Sequence, residues 1–181
     1  QMSKIYNEIT IITVLYNSSE IVESFFDSLK NFKIIVVDNG KNEKILERIK
    51  NLKNIQVISK NKNLGYGRAI NFAFDNVSTN FFLVLNPDLS IDVSSIENML
   101  NTLNQYNDSG IVAPVTLPDK DFYGAFPERN LKNVDSSSAM RSRELLLDSK
   151  IEGELCVDVA KGCALLISAK HFKNIGKFDE K

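Results

Sequence analysis

Asn86-Pro87-Asp88 follows the apolar run Phe81-Phe82-Leu83-Val84-Leu85. A short apolar run bounded by turn residues is predicted to be a buried strand. Pro87 has no N–H to donate to a sheet ladder, so the strand ends there. Asp88 is thereby delivered just past the carboxyl end of a strand, where open α/β sheets bind their ligands. A carboxylate in that place suits a divalent cation, and a cation suits a diphosphate. The plainer reading is that Asn, Pro and Asp are ordinary turn residues, and Asp88 only starts the turn into the next helix.

Three more polar clusters stand at predicted strand ends. Tyr16-Asn17 follows the first strand, Asp38-Asn39-Gly40 the second, and Asn63-Leu64-Gly65-Tyr66-Gly67-Arg68 lies beyond the third and opens a helix. Asp38 offers two acceptor oxygens to the N3–H of a uracil or thymine ring, or it is a turn residue. Tyr16 either stacks on the base or sits on the rim. Gly65 and Gly67 allow close approach of backbone to a ligand or to a neighbouring element. Arg68 either meets a phosphate or is a solvated helix residue. The glycine pair is not a dinucleotide fingerprint: it follows the third strand, and Ile70 stands where the third glycine belongs.

The elements that must position these residues alternate. Strands are predicted at Ile9 to Leu15, Lys33 to Val37, Ile55 to Ile58, Phe81 to Leu85 and Ile111 to Pro114. Helical spacing marks Ile21 to Leu29, Ile45 to Leu52, Ala69 to Val77 and Ile96 to Leu103. Ser94-x-x-Glu97 is predicted to be the capping box of the last of these. Alternation of this kind implies an α/β fold, a mostly parallel central sheet with helices on both faces. In such a sheet the strand carboxyl ends share one edge, so the four clusters are expected to converge on one cleft. The second half is less regular. A loop is expected over Leu117 to Val134, a helix or mobile segment over Ser136 to Lys150, a strand in Cys163 to Ile167, and a short helix from Ala169 ended by Gly176.

Composition bounds the function. The 181 residues carry a net charge of -1 and 43% hydrophobic residues, which suits one folded domain and no nucleic-acid partner. No stretch reaches the roughly 20 apolar residues of a membrane span. Residues 1–8 do not have the pattern of a secretory signal. One histidine, His171, all but excludes histidine triads and multi-histidine metal sites, and His171 is expected to pack or face solvent. The two cysteines, Cys156 and Cys163, follow no metal-ligand spacing, and a reduced, cytoplasmic setting is expected.

Taken in order, Ile11 to Ser18, Ile34 to Gly40, Asn61 to Asn71, Phe82 to Asp88, Lys161 to Ile167 and Ile175 to Glu180 make the chain resemble the family 2 glycosyltransferases. These have the GT-A nucleotide-sugar fold, and within them the chain is most similar to the rhamnosyltransferase-like bacterial branch. The resemblance covers nearly the whole chain. It implies transfer of a sugar from a nucleoside diphosphate to an acceptor hydroxyl, usually with inversion. It implies a donor such as dTDP-rhamnose or a UDP-hexose, a saccharide or lipid-linked acceptor met peripherally at the membrane, and Mg2+ or Mn2+. It sets Asp38 against the base and makes Asp88 the last acid of the Asp-x-Asp metal motif, in which Asn86 replaces the first acid. Tyr16, Asn17, Asn63, Gly65, Arg68 and Asn86 complete the expected nucleotide-sugar contacts. The family's base segment would follow Phe178-Asp179-Glu180, so the base is expected beyond Lys181, with Asp179 and Glu180 on the acceptor side.

One domain over residues 1–181 is expected, nucleotide-binding in 1–115 and a partial acceptor side in 116–181. A truncated, poorly active chain is expected too, with its last strand bare and prone to self-association. Two alternatives remain at this point. One is a sugar nucleotidyltransferase, which would want a glycine-rich basic loop where Tyr16-Asn17-Ser18-Ser19 stands. The other is a non-catalytic nucleotide-binding module.

Overall fold

The computed structural model describes residues 2–18, 22–106, 108–114, 154, 160 and 162–180. Strand β1 (Ile9–Leu15) is β-branched, and all but one of its residues are buried, as a strand covered on both faces must be. Strands β2 (Lys33–Asp38), β3 (Ile55–Ser59) and β4 (Phe81–Leu85) follow, separated by α2 (Val22–Ser28), α3 (Glu43–Ile49) and α4 (Tyr66–Phe74). The chain continues through α5 (Val93–Gln105), β5 (Ile111–Val112), β6 (Ala164–Ser168) and α6 (Ala169–Asn174).

The six strands lie in the order β3-β2-β1-β4-β6-β5. The first four are parallel, β6 runs antiparallel to β4, and β5 antiparallel to β6. Register decides what meets at the edge. Leu15 pairs with Asp38 and Asp38 with Ser59, so the carboxyl ends of β1, β2 and β3 are level. Leu85 pairs with Ala164, so the amino end of antiparallel β6 arrives at the same edge. The chain leaves β1 for β2 on one side and returns to β4 on the other, which opens a crevice at the strand ends.

Alternation sorts side chains between two cores. Ile9, Ile11, Leu15, Ile34, Val36 and Leu83 pack with Phe25, Phe26 and Ile45 from α2 and α3 and with Ile96, Met99 and Leu103 from α5. Ile12, Ile35, Val37, Phe82 and Val84 pack with Ala69, Ile70 and Ala73 of α4 and Phe172 of α6. Phe74, Phe82, Phe172 and Phe178 form a chain of edge-on and tilted ring contacts 4.9–5.2 Å apart, a geometry that favours aromatic pairs.

Several expectations are corrected. Residues 2–8, for which no element is expected from sequence, form α1 (Met2–Glu8); Ile5 is buried and Tyr6 meets Phe32 edge-on at 4.8 Å. One turn and a half of helix is too short to display a period. The cap of α5 is Asp92, not Ser94: its carboxylate accepts from the Ser95 N–H at 2.6 Å and from the Ser94 hydroxyl at 2.8 Å. A carboxylate one residue before the first helical position reaches the orphan N–H groups first. The expected fifth strand shrinks to Ile111–Val112 on the antiparallel edge, where Pro114 cannot extend the ladder. Strand β6 is buried at all five positions rather than bare, because α5 covers Ala164 and Leu166 while Phe172 covers Leu165 and Ile167. The expected loop over 117–134, the segment 136–150 and Cys156 lie outside the described residues. Among the described residues no helix is long and apolar enough to cross a membrane.

Candidate functional site

Two buried asparagines tie the strand-end loops together. Asn39 donates its backbone N–H to the Leu15 carbonyl at 2.9 Å. Its side-chain oxygen accepts from the Leu64 N–H at 2.7 Å, and its amide donates to Asn63 Oδ1 at 2.9 Å and to the Gly65 carbonyl at 3.3 Å. Asn42 donates to the Leu15 carbonyl at 3.2 Å and to Asp38 Oδ1 at 2.6 Å, and it accepts the Ser18 N–H at 3.0 Å. The loops after β1, β2 and β3 are thus linked by side chains with nearly full hydrogen-bond capacity, which makes such a network rigid. From sequence Asn39 stands in the Asp38-Asn39-Gly40 cluster without a role of its own, and Asn42 is not named. The available signal was an asparagine on each side of Gly40 in a strand-to-helix connection.

These ties hold Asp38 by one oxygen. Its Oδ1 accepts from Asn42 and, at 3.4 Å, from the Gly40 N–H. No described residue bonds to the other oxygen, which remains an acceptor for a ligand. Gly40 has a packing reason: a Cβ there would stand 3.0 Å from Asn17 Oδ1 and 3.1 Å from the Tyr16 ring. Tyr16 is 56% exposed, and Asn17 takes a left-handed φ of 49°, which asparagine tolerates better than most residues. Gly65 caps α4 with φ 75°, and nothing lies within 4 Å of the place its Cβ would take. That is open space at the start of a helix.

On the other side of β1 stands the Asn86-Pro87-Asp88 turn, closed by the Leu89 N–H on the Asn86 carbonyl at 3.2 Å. The Tyr66 hydroxyl bridges to it, 3.0 Å from Asn86 Oδ1 and 2.6 Å from the Gly162 carbonyl. Tyr66 therefore belongs to the site, although it was not among the expected contacts. Its phenol is pushed up to about 12, by burial first and then by the neighbouring acidic groups of Cys163 and Asp88. It stays protonated at any physiological pH. Asp88 is exposed, and no described residue bonds to its carboxylate.

The donor set can be tested for a divalent cation. Among the described residues no three His, Cys, Asp or Glu side chains lie together as a metal cage. One free carboxylate, with an amide two residues before it, fits the pattern of a hard cation held by one or two protein oxygens and completed by water and phosphate. It does not fit a dedicated protein-only site.

The segment Lys177 to Glu180 lies along α4. Lys177 pairs with Asp75 at 2.5 Å. Asn71 brackets Phe178, accepting its N–H at 3.0 Å and donating to its carbonyl at 2.9 Å, and also donates to Glu180 Oε1 at 2.9 Å. Arg68 is an exposed residue of α4, as the plainer of its two readings has it, and it also reaches the later segment: its Nε donates to the Glu180 carbonyl at 2.9 Å, and its Nη2 donates to the same oxygen. Gly67 serves this approach too, with the Asp179 carbonyl 3.6 Å from where its Cβ would be. His171 is as expected a packing residue, its ring nitrogen 2.9 Å from the Ser168 hydroxyl and its Cβ against Gly110.

A hollow of about 590 Å³ opens at the opposite edge of the sheet, lined by Lys4, Glu8, Thr79, Phe81, Asn104 and Lys170 among others. It shares no residue with the strand-end clusters.

Known proteins are similar to this chain in sequence and in fold. Over 119 residues the chain is 32% identical to the teichoic acid poly(glycerol phosphate) polymerase of Staphylococcus epidermidis, covering 60% of this chain and 16% of that one. It is 27% identical to the low-salt glycan biosynthesis hexosyltransferase Agl10 of Haloferax volcanii, over 96% of this chain and 57% of that protein. The chain thus spans between about a sixth and three fifths of these relatives' lengths. The solved mannosyltransferase PcManGT of Pyrobaculum calidifontis, in complex with GDP-Man and Mn2+, superposes with a TM-score of 0.66 at 16% identity, covering 96% of this chain and 48% of that one. The likeness confirms the GT-A arrangement of a mostly parallel sheet with helices around it. Residues 10–167 match the family model for glycosyl transferase family 2, and the chain belongs to that family of glycosyltransferases.

Proposed function

We propose that this chain moves a sugar from a nucleoside diphosphate sugar, dTDP-rhamnose or a UDP-hexose, to a hydroxyl of a saccharide or lipid-linked acceptor, with inversion and with Mg2+ or Mn2+. The observation that carries the reading is the single edge shared by an Asp38 oxygen and an Asp88 carboxylate, both without a partner among the described residues, and the open space at Gly65. A base, a diphosphate and a cation call for those three features in a row.

In this reading Asp38 accepts the N3–H of the base, held in place by Asn42. Tyr16 stacks on the base from the rim. Asn17, Asn63 and Gly65 line the path of the ribose and diphosphate, and Asn86 and Asp88 face the phosphates. Bound there, a cation supplies neutralisation of the charge that develops on the leaving diphosphate. Arg68 and Asn71 hold the acceptor-side segment in which Asp179 and Glu180 stand. Inversion asks for a general base on that side of the sugar. Residues 1–115 supply the nucleotide side and 116–181 part of the acceptor side. For a lipid-linked acceptor the chain works peripherally at the cytoplasmic face of the membrane. The hexosyltransferase name of the Haloferax relative and the GDP-Man and Mn2+ of the Pyrobaculum neighbour support donor class and cation.

The test is calorimetric titration with dTDP, UDP and GDP, with and without Mn2+, on this chain and on Asp88→Ala. Metal-dependent binding lost in the variant is the expected result. Binding indifferent to both metal and Asp88 would remove the cation, and no binding of any nucleotide would overturn the reading.

A further inference from the structure

The Tyr66 hydroxyl faces two acceptors and has one proton. It stands 2.6 Å from the Gly162 carbonyl oxygen and 3.0 Å from Asn86 Oδ1. A carbonyl can only accept, and 2.6 Å between two oxygens requires a proton between them. The hydroxyl proton therefore belongs to Gly162. Two oxygens would then oppose each other at 3.0 Å unless the Asn86 amide is turned over, so that its Nδ2 donates to the phenol oxygen. Oxygen and nitrogen of an amide are assigned from the hydrogen-bond network, and here proton counting decides it. The turned amide gives up no bond, because no described residue accepts from Asn86 Nδ2. The result is a relay, Asn86 N–H to Tyr66 oxygen, Tyr66 O–H to Gly162 carbonyl. The Asn86 carbonyl oxygen is left on the side away from Tyr66, without a partner among the described residues, two residues from Asp88.

We propose that Tyr66 is a positioning residue that fixes the Asn86 amide so that its carbonyl oxygen joins the Asp88 carboxylate as the second protein oxygen for the divalent cation. This rests on the cation reading given above. It also supplies a reason for asparagine at position 86. An aspartate has no N–H to give Tyr66, whose only proton is committed to Gly162, so two unprotonated oxygens would meet. Asn86 and Tyr66 are a matched pair, and the match runs from α4 across the end of β4 to the entry of β6. An outer partner that orients a metal ligand is typically worth about 10- to 100-fold in metal affinity.

Two measurements on the full chain separate this inference from the cation reading. The first uses no metal. Selective NMR of the Asn86 side-chain amide should show one slowly exchanging proton with a nuclear Overhauser contact to the Tyr66 ring, lost in Tyr66→Phe. A freely exchanging amide without that contact would overturn the orientation whether or not a cation binds. The second is an electron paramagnetic resonance titration of Mn2+ in the presence of UDP. Tyr66→Phe should weaken Mn2+ about tenfold, and Asn86→Asp should help Mn2+ binding in the Tyr66→Phe background and not in the unaltered chain. Unchanged affinity in Tyr66→Phe, with its melting temperature preserved, would overturn the positioning role. No Mn2+ uptake by the unaltered chain would overturn the cation reading, and the ligand half of this inference with it.

Discussion

The two edges of the same sheet differ in kind. The amino-end edge holds the hollow of about 590 Å³, yet its charged Lys4 and Glu8 are paired with each other at 3.3 Å, and its Thr79 hydroxyl bonds within the fold. The carboxyl-end edge is built from the loops that follow β1, β2, β3 and β4. It carries a network of asparagines that spend their capacity on neighbouring loops, and among the described residues it leaves acceptors unspent at Asp38 and Asp88. Volume alone does not locate chemistry. What marks a site is polar groups that are held firmly by one atom and left open at another.

This contrast can be broken or sharpened by mutation. Asp88→Ala should reduce Mn2+-dependent nucleotide affinity by at least about 100-fold, because even outer partners of metal ligands are worth about 10- to 100-fold. Lys170→Ala in the hollow should leave nucleotide affinity unchanged; a comparable loss there, measured by calorimetry, would erase the distinction between the edges. Asn42→Ala should cost roughly 1–3 kcal/mol of stability in urea unfolding, since it strands the Ser18 N–H and removes the 2.6 Å bond to Asp38. Asn104→Ala at the other edge is exposed and should stay within about 0.5 kcal/mol.

Midway between the edges, the buried Thr13 hydroxyl has no hydrogen-bond partner among the described residues. Thr13→Val should raise stability by about 1 kcal/mol, as removal of an unpaired buried hydroxyl does; a loss of stability would reveal a partner. The smallest effect is expected at Asp92. Its backbone bond to Ser95, helped by the Ser94 and Ser95 hydroxyls, holds its carboxyl below the ordinary 3.8. A depressed carboxyl stabilises the fold above its unfolded value and stops doing so as pH falls through the lower folded value. Asp92→Asn should therefore flatten the acid end of the stability curve below about pH 4 and leave neutral pH nearly unchanged. An unaltered acid limb would contradict the cap.

Much of the first half was legible because its signals are local. The β-branched run of β1 and the apolar run of β4 have the bounds expected of them, Ile9–Leu15 and Phe81–Leu85. The four polar clusters could be placed on one edge because parallel strands leave no other arrangement. What was missed depends on partners distant in sequence. Arg68 finds the Glu180 carbonyl 112 residues away, and Tyr66 finds Gly162 96 residues away. Nothing in the local pattern around an arginine or a tyrosine says whether a phosphate, solvent or a remote carbonyl will satisfy it. Asp92 against Ser94 was a smaller miss of the same sort, two capping residues whose order only the helix start resolves.

By itself the sequence determined the alternation of strands and helices, the family, and the presence of Asp38 and Asp88 at strand ends, since hydrophobic period and turn chemistry act over a few residues. Only the tertiary structure decided that β6 runs antiparallel and so returns Gly162 to the edge where Asn86 lies. Only it decided that Asn39 and Asn42 are buried ties. The physical reason is that a buried donor or acceptor must be satisfied by whatever packing brings within 3 Å or so, and chain order does not specify that neighbour.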